Sequence, residues 1–91
     1  MSTQQEWSFI HGLVRLQRPR IAVEVGVAYG GMATSIYKAM HENFVDTGVE
    51  SWYTGFDLWD THGVHGQFGQ MGSLELVDQK LKDIGPRYAL V

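Results

Sequence analysis

The sequence predicts an α/β fold in the order α-β-α-β-α-β, with three parallel strands in the order 3-2-1 and helices on both faces. Three observations predict it. Three stretches carry apolar residues at helical spacing, and short β-rich runs lie between them. The first of these runs, Ile21 to Val25, stops on Gly26, crosses a turn containing Gly30, and opens an amphipathic stretch at Gly31 or Met32. A parallel strand that ends on a glycine turn and a helix N-terminus presents free backbone N–H groups to a ligand, so this is a candidate nucleotide-type site.

Each element has its own signal. Thr3 followed three residues later by Glu6 is a capping-box pattern, which starts a helix over Gln4–Gln17. Trp7, Ile10, Leu13 and Val14 form its apolar stripe, and Pro19 closes it. Ile21-Ala22-Val23-Glu24-Val25 reads as a central strand covered on both faces, except at Glu24. A carboxylate there is costly unless it has partners, so Glu24 either faces the carboxyl edge of the sheet or has a role there.

Met32, Ile36, Met40 and Phe44 recur every four residues and predict a second helix of about thirteen residues, ended by Asp46-Thr47-Gly48. Ser51 to Trp59 reads as the second strand, placing Asp57 near its carboxyl end, on the side where Gly26 ends the first. Residues 60–72 carry Gly63, Gly66, Gly69 and Gly72 and read as a loop able to close over that edge. Ser73 caps a third helix with Leu74, Val77, Leu81 and Ile84 buried and an Asp78–Lys82 pair outside. Gly85-Pro86 ends it, and Arg87 to Val91 begins a third strand.

Composition sets the bounds. With 91 residues and 44% hydrophobic content, the chain suits one domain with its own core, and without cysteine that core has no disulfide to help it. Seven basic against ten acidic residues give a net charge of -3, which disfavours nucleic acid as a partner. No apolar run approaches the roughly 20 residues that span a bilayer. Met1 to Glu6 is polar and lacks the regions of a signal peptide, so no membrane and a cytoplasmic location are expected.

Two cofactor readings compete at the glycine turn. A dinucleotide fingerprint would place its glycines at Gly26, Ala28 and Gly31, and the middle one, which lets backbone approach a pyrophosphate, is missing. Asp57, Asp60, His62 and His65 could be drawn as a metal cluster, but a glycine-rich loop does not pre-position ligands. His62 or His65 as a general base is not demanded by any spacing, and no catalytic residue is assigned.

Glu24-Val25-Gly26-Val27-Ala28-Tyr29-Gly30-Gly31 resembles the first motif of the class I S-adenosylmethionine-dependent methyltransferases, an acid followed by spaced glycines. Tyr53-Thr54-Gly55-Phe56-Asp57-Leu58-Trp59 resembles that family's second strand with its ribose-binding acid. Leu16-Gln17-Arg18-Pro19-Arg20 is similar to its approach to the first strand, particularly in small-molecule and sugar O-methyltransferases. The resemblance covers residues 1–91 as a single truncated Rossmann-like domain, the cofactor-binding half of the fold.

The resemblance implies S-adenosylmethionine as cofactor and a small-molecule acceptor. Backbone from Gly26 through Val27, Ala28, Tyr29 and Gly30 would line the methionine and ribose; Glu24 would face the amino group, Asp57 the ribose hydroxyls and Leu58 the adenine. A sulfonium ligand without pyrophosphate tolerates Ala28. The family continues into further strands, so here the first strand would be an open edge, and self-association through Ile21–Val25 is expected, most simply as a homodimer. The alternative is a non-catalytic domain that binds an adenosyl ligand or only oligomerises.

Overall fold

The computed structural model describes residues 3–59 and 73–91. They form α1 (Gln4–Gln17), β1 (Ile21–Val25), α2 (Gly31–Thr47), β2 (Trp52–Phe56), α3 (Ser73–Lys82) and β3 (Tyr88–Leu90). The strands make one parallel sheet with β2 in the centre, the order 3-2-1 read from the sequence. The expected closing loop, with Asp60, His62 and His65, lies outside the described residues.

The capping box at α1 is formed: the Thr3 amide donates to Glu6 Oε1 at 3.0 Å and the Glu6 amide to Thr3 Oγ1 at 3.2 Å. Arg18 ends the helix in the left-handed region, its amide on the Val14 carbonyl, and Pro19 prevents continuation. Val14 is buried, Trp7 and Ile10 are half-buried, and Leu13 faces partly outward. Polar groups complete the seam with α2. Arg15 donates to Asn43 Oδ1 at 2.9 Å and to Asp46 Oδ2 at 2.6 Å, and buried Asn43 donates to the Val14 carbonyl.

These bonds carry α2 to Thr47, seventeen residues rather than about thirteen, until Gly48 caps it in the left-handed region. Its most buried apolar residues are Ala33, Tyr37, Ala39 and Met40, while Met32, Ile36 and Phe44 of the four-residue row are half-buried. In α3, Val77 and Leu81 are fully buried while Leu74 is largely exposed. Asp78 does not serve the outer pair with Lys82; it accepts the Tyr88 hydroxyl from β3. The largest fully buried side chains of the core are therefore Tyr53, Met40, Leu81 and Val77, enclosed between sheet and helices.

The expectation of helices on both faces is corrected. Tyr37 of α2 lies 6.1 Å from the Tyr53 ring and 5.5 Å from Tyr88, and Tyr88 reaches α3, so α2 and α3 share one face, with α1 packed along α2. On the other face Ile21, Val23, Val25, Trp52 and Phe56 are 39% to 82% exposed, and no described element covers them. The reason is topological. Both crossovers step the same way across the sheet, from β1 to β2 to β3, and right-handed crossovers in one direction put their helices on one side.

β2 is also shorter than the Ser51–Trp59 run, ending at Phe56. Its side chains alternate, with Tyr53 and Gly55 buried toward the helices and Trp52 and Phe56 turned outward. Among the described residues no helix is long and apolar enough to cross a membrane.

Two glycines give opposite expectations. A Cβ at Gly31 would stand 2.2 Å from the Trp7 indole, so Gly31→Ala should destabilise the protein by about 1–3 kcal/mol through overpacking. At Gly12, exposed within α1, a Cβ meets nothing within 4 Å, so Gly12→Ala should stabilise by about 0.5–1 kcal/mol. Urea unfolding of both variants checks the pair; a neutral Gly31→Ala would contradict the packing of α1 over the start of α2.

Candidate functional site at the carboxyl edge of the sheet

Parallel pairing brings the candidate residues to one place. Ile21 stands opposite Trp52 and Val25 opposite Phe56, so β1 and β2 end level, and the amide of Gly26 still donates to the Phe56 carbonyl at 2.8 Å. Glu24 and Asp57 therefore flank the same end. Val27 turns back into the core, and the Gly30 amide donates to the Val27 carbonyl at 3.1 Å, closing a four-residue turn.

The turn alternates in hand: Gly26, Ala28 and Gly30 have φ of 83°, 54° and 88°. Glycine adopts this region freely and alanine does not. Ala28, at the place of the missing dinucleotide glycine, is held there by its amide, which donates to Asp57 Oδ2 at 2.8 Å. Gly30 is the N-cap of α2 and gives it no side-chain cap, so an acceptor-bearing group beside the turn meets backbone N–H donors rather than a competing hydroxyl.

Asp57 leaves the line of β2 because its own chain turns around it. Oδ1 accepts the Trp59 amide at 2.9 Å, a local turn that ends the strand and puts Trp59 at a φ of 57°. The backbone donors at Ala28 and Trp59 lower the Asp57 pKa below the ordinary carboxylate value, so it is ionised at neutral pH. Leu58 beside it is fully exposed.

Glu24 occupies the helix-side face of β1 and is half-buried. Oε1 accepts the Tyr53 hydroxyl at 2.6 Å. That contact needs Gly55, opposite Glu24, because a Cβ there would lie 2.9 Å from Val27 and 3.0 Å from the Tyr53 hydroxyl. Burial raises the Glu24 pKa; the Tyr53 bond opposes the shift, and the Asp57 charge adds to it. Tyr53 is pushed up in turn, by burial and then by Glu24.

The structure brings Glu24, Gly26 to Gly30, Asp57 and Leu58 to one edge. Val25, Gly26, Phe56, Asp57, Leu58 and Val91 line an open recess of about 450 Å³ there. Of the expected site residues, Gly26, Asp57 and Leu58 line it, and Glu24, Val27, Ala28, Tyr29 and Gly30 do not. Larger grooves of about 790 Å³ and 740 Å³ run along the helices and beside β3, so volume alone does not mark the site. Spacing in the sequence missed two participants, Tyr53 as the partner of Glu24 and Lys80, which donates to the Tyr29 carbonyl at 2.9 Å. Both contacts join positions far apart in the chain, and no local pattern encodes them.

The sequence matches no protein-family profile and no curated protein. In structure the chain is similar to the methyltransferase PaMTH1 of Podospora anserina, solved with SAH bound, with a TM-score of 0.67 at 15% identity. The match covers 100% of this chain and 32% of PaMTH1, so the chain spans about a third of that protein's length. The likeness shows a Rossmann-like α/β fold shared with part of that protein.

The two carboxylates give opposite pH slopes. Asp57, lowered, adds stability that is present above its ordinary pKa of 3.8 and lost as pH falls through the folded value. Glu24, raised above 4.5, adds stability that is fully present below that value and lost as pH rises through the folded one. Wild type should therefore lose stability relative to Glu24→Gln between about pH 4 and pH 7. Urea unfolding of both proteins at the two pH values measures this, and a difference independent of pH would reject the burial cost at Glu24.

Proposed function

We propose that the chain is the cofactor-binding part of an S-adenosylmethionine-dependent methyltransferase acting on a small-molecule acceptor. The observation that carries this reading is the ionised Asp57 at the end of β2, bonded to the Ala28 amide of the glycine turn. A carboxylate offers about four acceptor sites. The amides of Ala28 and Trp59 each hold one of its oxygens, and the backbone of Leu58 and Val27 also favours its charged form, so the turn fixes an ionised acceptor where a pair of vicinal hydroxyls can share it. Fold similarity to a methyltransferase with bound SAH supports the same reading.

In this reading the backbone from Gly26 through Val27, Ala28, Tyr29 and Gly30 lines the methionine and ribose portion, and Asp57 holds the ribose. Exposed Leu58, with Val25 and Phe56, offers apolar surface to the adenine. Glu24, whose Oε1 accepts the Tyr53 hydroxyl, is the acid for the methionine ammonium. The cofactor supplies an electrophilic methyl group; the chain contributes orientation of cofactor against acceptor, which is where alignment lowers the barrier.

The open edge of β1 exposes unpaired backbone groups, and we assign it to self-association of two copies with their first strands side by side. The amide of Trp52 donates to the Arg20 carbonyl and that of Gly26 to Phe56, so alternation turns the backbone groups of Ile21, Val23 and Val25 to the open edge. Their side chains are the exposed apolar residues of the same strand.

Calorimetric titration with S-adenosylhomocysteine tests the cofactor. Asp57→Ala should weaken binding by about 1.5–3 kcal/mol, the range for hydrogen bonds to a charged group, and an unchanged dissociation constant would reject the ribose assignment. Adenosyl-ligand binding without methyl transfer to any small acceptor would favour the non-catalytic alternative. Sedimentation should show a dimer at micromolar concentration that Val23→Lys dissociates; a monodisperse wild-type monomer would sink the assembly.

A further inference from the structure

The ligand turn is fastened on its far side by α3. Lys80 Nζ donates to the carbonyl of Tyr29 at 2.9 Å, across 51 positions of sequence. Three residues earlier on the same helix, fully buried Val77 lies against Gly30, where a Cβ would stand 3.0 Å from Val77 Cγ2 and 3.7 Å from Lys80 Cδ. On the near side, Asp57 holds the Ala28 amide. Two side chains of opposite charge, from distant parts of the chain, thus grip two peptide groups of one turn, Val27–Ala28 and Tyr29–Gly30.

The geometry gives Lys80 a definite effect. A trans peptide points its C=O and the next N–H in opposite directions. Lys80, by holding the Tyr29 carbonyl, therefore directs the Gly30 amide the other way, toward the Val27 carbonyl that closes the turn. Ala28 stands in a region that costs an L-residue on the order of 1–2 kcal/mol, so the turn keeps this shape only when outside contacts over-determine it. A partly buried ammonium on a carbonyl is a charge-assisted bond, stronger than a neutral one.

We infer that Lys80 is a positioning residue for the cofactor turn: without touching the ligand, it sets the orientation of the Tyr29–Gly30 peptide and so the affinity for an adenosyl ligand. Its effect on the turn stands independently; its effect on affinity rests on the cofactor reading above. Lys80→Met keeps the length and apolar stem and removes the donor, whereas Lys80→Arg restores one.

Amide hydrogen exchange followed by NMR, without ligand, reads the turn directly. In Lys80→Met the Gly30 amide should exchange about tenfold faster, as one lost charge-assisted hydrogen bond would produce, while paired strand amides such as that of Tyr53, which donates to the Arg87 carbonyl, keep their rates. Lys80→Arg should restore protection. The dissociation constant for S-adenosylhomocysteine should rise about tenfold in Lys80→Met and return toward wild type in Lys80→Arg. Uniformly faster exchange in both turn and strands would mean a merely structural role and overturn the inference. Unchanged Gly30 exchange overturns it too, as does altered exchange with unchanged affinity. If Lys80→Met does not fold, Lys80→Gln is measured the same way. Wild type that fails to bind the ligand rejects the cofactor reading, and with it the effect on affinity, while exchange alone still decides whether Lys80 orders the turn.

Discussion

The parallel register of β1 on β2 is the constraint on which the site depends. Placing Glu24 opposite Gly55 makes the two strands end level, and it leaves the space above Gly55 for the Tyr53 hydroxyl to reach Glu24. A slip of one residue would turn Tyr53 to the bare face, take the core's largest side chain out of it and part Asp57 from the Ala28 amide. Core packing and site geometry are thus fixed by the same set of backbone bonds.

Much of this was legible because the signals are local. The capping box at Thr3 and Glu6, Pro19 after α1, and the glycine turn after Val25 each act within a few residues, and each stands where the sequence puts it. The acids at the carboxyl edge were legible too, since strand direction follows from the order of elements. What the sequence hides is set by distant contacts. Asn43 and Asp46 extend α2 because Arg15 of another helix reaches them, and Asp57 ends β2 early by accepting the Trp59 amide.

The misread face of the sheet teaches a related point. A strand such as Ile21-Ala22-Val23-Glu24-Val25 is apolar on both sides, and that pattern normally means cover on both sides. The pattern records what the strand is built to meet, while the crossovers of the described elements decide what it does meet. Ala22 and Glu24 turn to the face the helices cover, and no described element covers the side chains of Ile21, Val23 and Val25. The acid and glycine chemistry belongs to the finished side and its upper rim.

The tyrosine cluster has a consequence in time. Tyr37 packs against Tyr53 and Tyr88, and its hydroxyl accepts the Arg87 amide 50 positions later. During synthesis the middle of the core therefore has no lid until residues 87–90 have emerged from the ribosome. Until then α2 and β2 hold Tyr37 and Tyr53 with one side open, and folding waits on the arrival of a three-residue strand. The shortest element of the sheet is the one that commits the rest.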